Sequence, residues 1–157
     1  MPRRVLTAVV VVAAFAFSAF AGEAKATPTR AELALLQAMN EARQAHDLVP
    51  LRIDARLQRT ACRHSSAMLR TGAFAHGAFV ARIRSAGVRA RRVGENLAWG
   101  AGPLAEAHAI VNLWLASPEH RANLLRAGYR TVGVGARKGN FEGHAGAVVV
   151  TTDFAGR

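Results

Sequence analysis

The chain has 157 residues, 51% of them hydrophobic, and carries 21 Lys and Arg against 10 Asp and Glu, a formal net charge of +11. That length suffices for one domain with its own core, and the lone Cys62 excludes an internal disulfide, so the domain must hold itself together by packing. The excess of positive charge favours contact with anionic lipid headgroups, cell-wall polymers or nucleic acid, which is a statement about adhesion and not about fold.

The first segment reads as an export signal. Met1-Pro-Arg-Arg is followed by an apolar run from Val5 to Phe20 and by small residues at Ala19-Phe20-Ala21 and Ala24-Lys25-Ala26. These are the charged region, apolar region and A-x-A site of a signal peptide over residues 1–26, cleaved after Ala26 or Ala21. The run is short for a membrane span, so no transmembrane segment is expected after processing, and the product is expected to be secreted. No cysteine stands beside the cleavage site to carry a lipid. Removing residues 1–26 takes away Arg3, Arg4, Lys25 and Glu23 and leaves an arginine-rich chain of about +9, expected to form a single domain over 30–156 and to be a monomer.

Along that domain, Leu35, Ala38, Met39, Ala42 and Ala45 recur at helical spacing between Thr29 and His46. Asp54 caps a second helix carrying Leu57, Ala61, His64 and Met68, which Gly72 stops; His64 shares the apolar stripe and is expected to be a packed, hydrogen-bonded core residue. Cys62, on the same helix, is expected to be buried. Residues 73–93 look irregular. They contain five arginines, Arg82, Arg84, Arg89, Arg91 and Arg92, which form either a solvated basic loop or a contact for polyanions. No aromatic side chains interleave them, so a specific nucleic-acid site is not expected.

Asn96 to Trp99 reads as a short strand, and Gly100-Ala-Gly-Pro103 separates it from a third helix with Leu104, Ala107, Val111 and Trp114. In WLASPEHRANLL, Ser117 and Pro118 form an N-cap and first helical position, so a new short helix starts there and runs toward Gly128. His120 is its third residue, where the helix N-terminus disfavours imidazolium and leaves a lone pair for a metal or a proton; a merely packed imidazole is the alternative. A capping Ser117 turns its hydroxyl to the backbone and is a poor nucleophile. Two further pieces, FAHG with His76 and VGENLAWG with Glu95, place a histidine after an aromatic anchor and a glutamate at a strand entrance; a purely structural glutamate is the alternative for Glu95. Thr131 to Arg137 and Ala147 to Phe154 read as a hairpin.

NEAR at 40–43, HSSAM at 64–68, FAHG, VGENLAWG, WLASPEHRANLL, VGVGA at 132–136 and VVVTTDFAG together resemble the CAP superfamily of cysteine-rich secretory, antigen 5 and pathogenesis-related proteins, in the form of a bacterial SCP-like domain. The resemblance implies an α+β fold, a CAP-type α-β-α sandwich with a small antiparallel sheet and about four helices. It also implies a cleft in which two histidines and two glutamates hold a divalent metal. His76, Glu95 and His120 match three of these positions. The fourth does not carry over, because Ser117 stands three residues after Trp114 and Glu119 lies two positions further on. Binding of zinc or another divalent cation by His76, Glu95 and His120 is therefore conditional.

The function expected from this resemblance is a secreted binding or interaction domain, metal-modulated or not, with a lipid or anionic envelope component as partner. One alternative is a zinc-dependent hydrolase using the same cleft, against which stands the lack of a convincing nucleophile or separate general base. The other is electrostatic binding of anionic envelope polymers through the arginine cluster.

Overall fold

The computed structural model describes residues 27–157; the expected leader, residues 1–26, lies outside the described residues. Helix α1, Arg30–Gln44, opens on a capping box in which the Thr29 side chain accepts from Glu32 N and the Glu32 carboxylate accepts from Thr29 N. Strand β1, Arg52–Ile53, is a two-residue edge. Helix α2, Ala55–Thr71, starts at Asp54, whose carboxylate accepts from Arg56 N and Leu57 N, and ends at Gly72 in the left-handed conformation, φ 70°.

The segment expected to be irregular contains helix α3, Phe79–Ser85. Two turns with Ile83 as their buried residue and no side-chain cap leave too short a period to read from sequence. Strand β2 runs over Arg92–Gly100. The third helix expected from Leu104 onward is split: a 3₁₀ turn, Gly102–Ala105, precedes helix α4, Ala107–Ala116. Extended backbone at Glu106, ψ 146°, separates the two and leaves Leu104 exposed rather than in the helix stripe. Helix α5, Pro118–Leu124, and strands β3, Tyr129–Phe141, and β4, His144–Gly156, complete the chain.

The sheet order is β1-β3-β4-β2; β3, β4 and β2 are antiparallel, and β1 joins β3 in parallel through Arg52↔Thr131 and Ile53↔Val132. The fold is the expected α-β-α sandwich, with five helices around a four-stranded mixed sheet. Residues alternate between faces along each strand. Val132, Val134, Val150 and Phe154 pack with Leu35, Met39, Ile110 and Trp114 of α1 and α4. The other face receives α2, through Thr60 to Asp153 and Ser65 to Thr151 hydrogen bonds. Gly133 and Gly135 permit this approach: a Cβ on either would lie 2.0 and 2.4 Å from backbone carbons of Leu57 and Ala61.

Two buried charges tie the layers together. Glu32 accepts from Arg137, Cys62, Gln58 and Ala136 N, which joins α1, α2 and β3. Arg43 donates to the carbonyls of Val49, Leu124, Arg126 and Tyr129 and so fixes the α5–β3 connection. Cys62 is buried beside Glu32, as its place on α2 predicts.

Candidate functional site

Strand β2 ends the sheet order, so one of its edges has no strand partner. Side chains cover that edge: Asn123 Nδ2 donates to Glu95 O at 3.2 Å and Trp114 Nε1 to Leu97 O at 2.9 Å. Because successive residues face opposite ways, Glu95 points toward α2 and α3 while Asn96 points toward α5, where its Nδ2 donates to the His120 carbonyl. The site is built around this edge from both faces of the sheet.

On the α2–α3 face, Glu95 lies directly opposite Asp153 in the β2–β4 register, and both carboxylates are fully buried. Two like charges so placed repel unless a cation intervenes. Arg82 of α3 supplies it: Nη2 donates to Glu95 Oε2 and lies 3.9 Å from Asp153 Oδ1. Thr60 Oγ1 donates to Asp153 Oδ2 at 2.5 Å, and a 2.8 Å hydrogen bond joins His76 Nδ1 to Glu95 Oε1. Burial, and then the Asp153 charge, push the Glu95 carboxyl up to about 9, with Arg82 opposing; burial also raises Asp153. Two buried acids facing one guanidinium thus retain one proton between them at neutral pH. Burial first, then the charges of His120 and Arg82, hold His76 below the ordinary imidazole value, while Glu119 acts in the opposite direction.

A cavity of about 300 Å³ opens across the free β2 edge, lined by Phe74, by Leu97 and Trp99 from the same face as Glu95, and by Leu113, Trp114, Ser117 and His120 from the α4–α5 side. Phe74 and Leu113 are 41% and 49% exposed. Phe141 braces the aromatic wall, edge-on to both Phe74 and Trp99.

His76 and Glu95 are therefore in direct contact, and His120 approaches from across the edge, close enough for its charge to act on His76. Three expectations change. Arg82 does not belong to a solvated basic loop but turns inward, 22% exposed, because α3 aims it at two buried acids; Arg84, Arg89, Arg91 and Arg92 stay exposed. His64 is half-buried rather than core, and its Nε2 bonds the Ala75 carbonyl at 2.9 Å, which pins the loop that carries His76. Ser117 occupies the N-cap position with extended backbone but makes no side-chain cap bond. Pro118 removes one first-turn donor, Arg121 N is satisfied by the Ser117 carbonyl at 2.8 Å, and the Ser117 side chain lines the cavity instead.

The three residues do not fit as a metal set. Both Glu95 oxygens are engaged, by His76 and Arg82, and a guanidinium already supplies the local positive charge. Among the described residues no three His, Cys, Asp or Glu gather to hold an ion. Asp153 and Thr60 escaped the sequence reading; the available signal was an acid within the otherwise apolar and hydroxyl-bearing run Ala147–Phe154.

Comparison with known proteins bears on these features. The sequence model of the cysteine-rich secretory protein family, CAP, matches residues 36–154. The uncharacterized protein YkwD of Bacillus subtilis is 31% identical over 109 residues, covering 66% of this chain and 41% of the relative. An extracellular SCP-domain protein from Bacillus anthracis superposes with a TM-score of 0.64 at 26% identity, over 78% of this chain and 39% of that one. An outer surface protein from Borrelia burgdorferi gives 0.64 at 23% identity, over 78% and 90%, a likeness of fold alone. The chain thus spans about two fifths of the length of the two Bacillus proteins. Among the described residues no helix is long and apolar enough to cross a membrane.

Proposed function

The chain belongs to the cysteine-rich secretory protein (CAP) family, and on that premise we propose that it is an extracellular binding domain whose β2-edge cavity takes a ligand with an apolar body and a polar head, a lipid or lipid-linked envelope component. The observation that carries the proposal is the exposure of Phe74 and Leu113 on the wall of a cavity whose polar lining residues are Ser117 and His120. Apolar side chains lining a concave surface with few polar groups at one end are the usual composition of a small-ligand site. The extracellular description of the Bacillus anthracis relative, together with the leader-like residues 1–26, supports export.

Binding is favoured over hydrolysis by the same geometry. His76 with Glu95 resembles a base with its orienting acid, but among the described residues Glu95 is the hydrogen-bond partner of the His76 ring, and no serine, threonine or cysteine is held against it as a nucleophile. The test is titration of the protein with a fluorescent long-chain fatty acid, combined with mass spectrometry of the organic extract of the protein purified after export. Phe74→Ala with Leu113→Ala is expected to weaken binding by about tenfold or more, since each side chain contributes on the order of 1 kcal/mol when the ligand covers it. Unchanged affinity in the folded double variant refutes the proposal.

A further inference from the structure

A larger cavity, about 730 Å³, lies where β4 ends and β3 begins, apart from the β2-edge site. Its rim carries Arg56, Arg89, Arg91, Arg130 and Arg157, with Asp54 as the acid among its lining residues. We propose that this cavity is a second binding site, for an oligoanion bearing phosphate groups. The site is independent of the apolar cavity and of any ligand bound there.

Its charge is not cancelled locally. Asp54 is already consumed: it caps α2 through Arg56 N and Leu57 N and pairs with the Arg56 guanidinium at 2.9 Å. Elsewhere the guanidinium anchors are neutral carbonyls. Arg56 Nη1 donates to Gly87 O at 3.1 Å, and Arg130 Nη1 donates to Ala127 O and Tyr129 O. Such bonds fix a guanidinium in place and leave its charge, and the rest of its donors, for a ligand. With five guanidinium groups against one carboxylate, the lining side chains carry a net charge of +4.

Shape separates this arrangement from an ordinary solvated basic face. The arginines come from four separate segments, the start of α2, the α3–β2 loop, the start of β3 and the end of β4, and surround a concavity rather than projecting apart. Val88 and Ala155 give it a small apolar floor. A guanidinium fork matches two phosphate oxygens at once, and a phosphate group offers up to three acceptors with a charge of about −1.5 to −2. No aromatic residue lines the cavity to stack a base, which disfavours nucleic acid. An adjoining cavity of about 440 Å³, with Arg84, Arg89 and Arg91 on its walls, extends the basic surface and suits a ligand of several linked phosphate units.

The experiment measures calorimetric binding of tripolyphosphate, and flotation with phosphatidylglycerol or phosphatidylcholine vesicles, at physiological salt. It compares the wild-type protein with Arg89→Gln/Arg91→Gln and with Arg30→Gln/Arg70→Gln, a pair that removes the same charge from exposed positions outside the cavity. The first pair is expected to weaken binding by about tenfold or more, as loss of charge-assisted hydrogen bonds does, and the second by less than about twofold. Cavity-dependent binding of tripolyphosphate alone identifies a soluble or wall-borne phosphate polymer, whereas cavity-dependent binding of phosphatidylglycerol vesicles identifies a lipid headgroup. Equal weakening by both pairs, or no binding of either probe by the wild type, overturns the proposal. Matching thermal melts for all three proteins show that the comparison is between folded chains.

Discussion

Replacing Arg82 by Met keeps the side-chain volume and removes the guanidinium that faces Glu95 and Asp153. Both carboxylates are 0% exposed and Arg82 only 22%, so solvent screens little of the interaction. Without the guanidinium, the acid that had remained charged must either stay unpaired in the interior or take up a proton. Protonating a glutamate of ordinary value 4.5 at pH 7 costs about 3.4 kcal/mol, at about 1.36 kcal/mol per pH unit. For an aspartate of ordinary value 3.8 the cost is about 4.4 kcal/mol on the same scale. The protonation route therefore caps the loss, and the expected destabilisation at pH 7 is about 3 to 4 kcal/mol, within the range for breaking a buried ion pair. The sign of the pH dependence follows from the raised carboxyl values. Above 4.5 the folded variant holds a proton that the unfolded chain releases, so its deficit grows as pH rises and shrinks to about 1 kcal/mol or less near pH 4.5. Urea denaturation of wild type and Arg82→Met at pH 4.5 and pH 7 measures this directly. A deficit below about 1 kcal/mol at pH 7, or one equal at both pH values with unchanged denaturant slope, refutes the reasoning. Adding Glu95→Gln to the variant is expected to recover part of the loss at pH 7, because one of the two uncompensated acids is gone.

Other features of the fold make separate predictions. Cys62 is buried, with its thiol value raised by burial and then by the Glu32 charge, so a thiol reagent is expected to label the folded protein slowly and the denatured protein within minutes; rapid labelling of folded protein contradicts the packing of α2. Gly135→Ala places a methyl 2.4 Å from the Ala61 backbone and is expected to cost at least about 2 kcal/mol, and a thermal melt indistinguishable from wild type refutes the close α2–β3 approach. The His76 ring is expected to titrate below 6.5 by NMR, and Glu119→Gln to lower it further, since Glu119 is the charge that favours its protonated form.

The elements most legible in the sequence were those whose signals are local. The Asp54 cap and the Gly72 stop bound α2, and the β-rich runs after Thr131 and Ala147 gave the β3–β4 hairpin. What sequence periodicity could not show was contact between distant segments. Arg82 resembled its neighbours Arg84 and Arg89 because a charge run carries no mark of which member turns inward; that is decided by α3, seven residues long, lying over the β2–β4 register that opposes Glu95 to Asp153. Ser117 misled for a related reason. Its position predicted a cap, and the backbone takes that position, but Pro118 and the preceding turn leave the side chain free to line the cavity. His64 sat on the apolar stripe of α2 yet marks the edge of that stripe, where the loop carrying His76 folds back over the helix.

The response to zinc distinguishes the Arg82-centred cluster from a metal centre. A tetrahedral site needs three or four protein donors at about 2.0 to 2.2 Å, and here Glu95 has no free oxygen, which leaves the His76 Nε2 and the His120 ring. Two imidazoles beside a fixed guanidinium form a weak site, since a dication entering it must approach an existing positive charge. Saturating zinc at pH 7.5 is therefore expected to raise the melting temperature of the wild type by less than about 1 °C, because an ion that barely binds the folded state shifts the unfolding equilibrium little. Arg82→Gln should behave differently. Removing the guanidinium abolishes the repulsion, so the His76 Nε2 and the His120 ring lose the opposing charge, and zinc is expected to stabilise the variant more than the wild type near pH 7.5. The effect should fade below about pH 5.5, where protons compete for both imidazoles around their ordinary value of about 6.5. If instead zinc stabilises the wild type strongly, and His76→Ala and His120→Ala each abolish the effect, then Arg82 swings out when the ion enters and the ion pair with Glu95 is a resting arrangement that metal displaces.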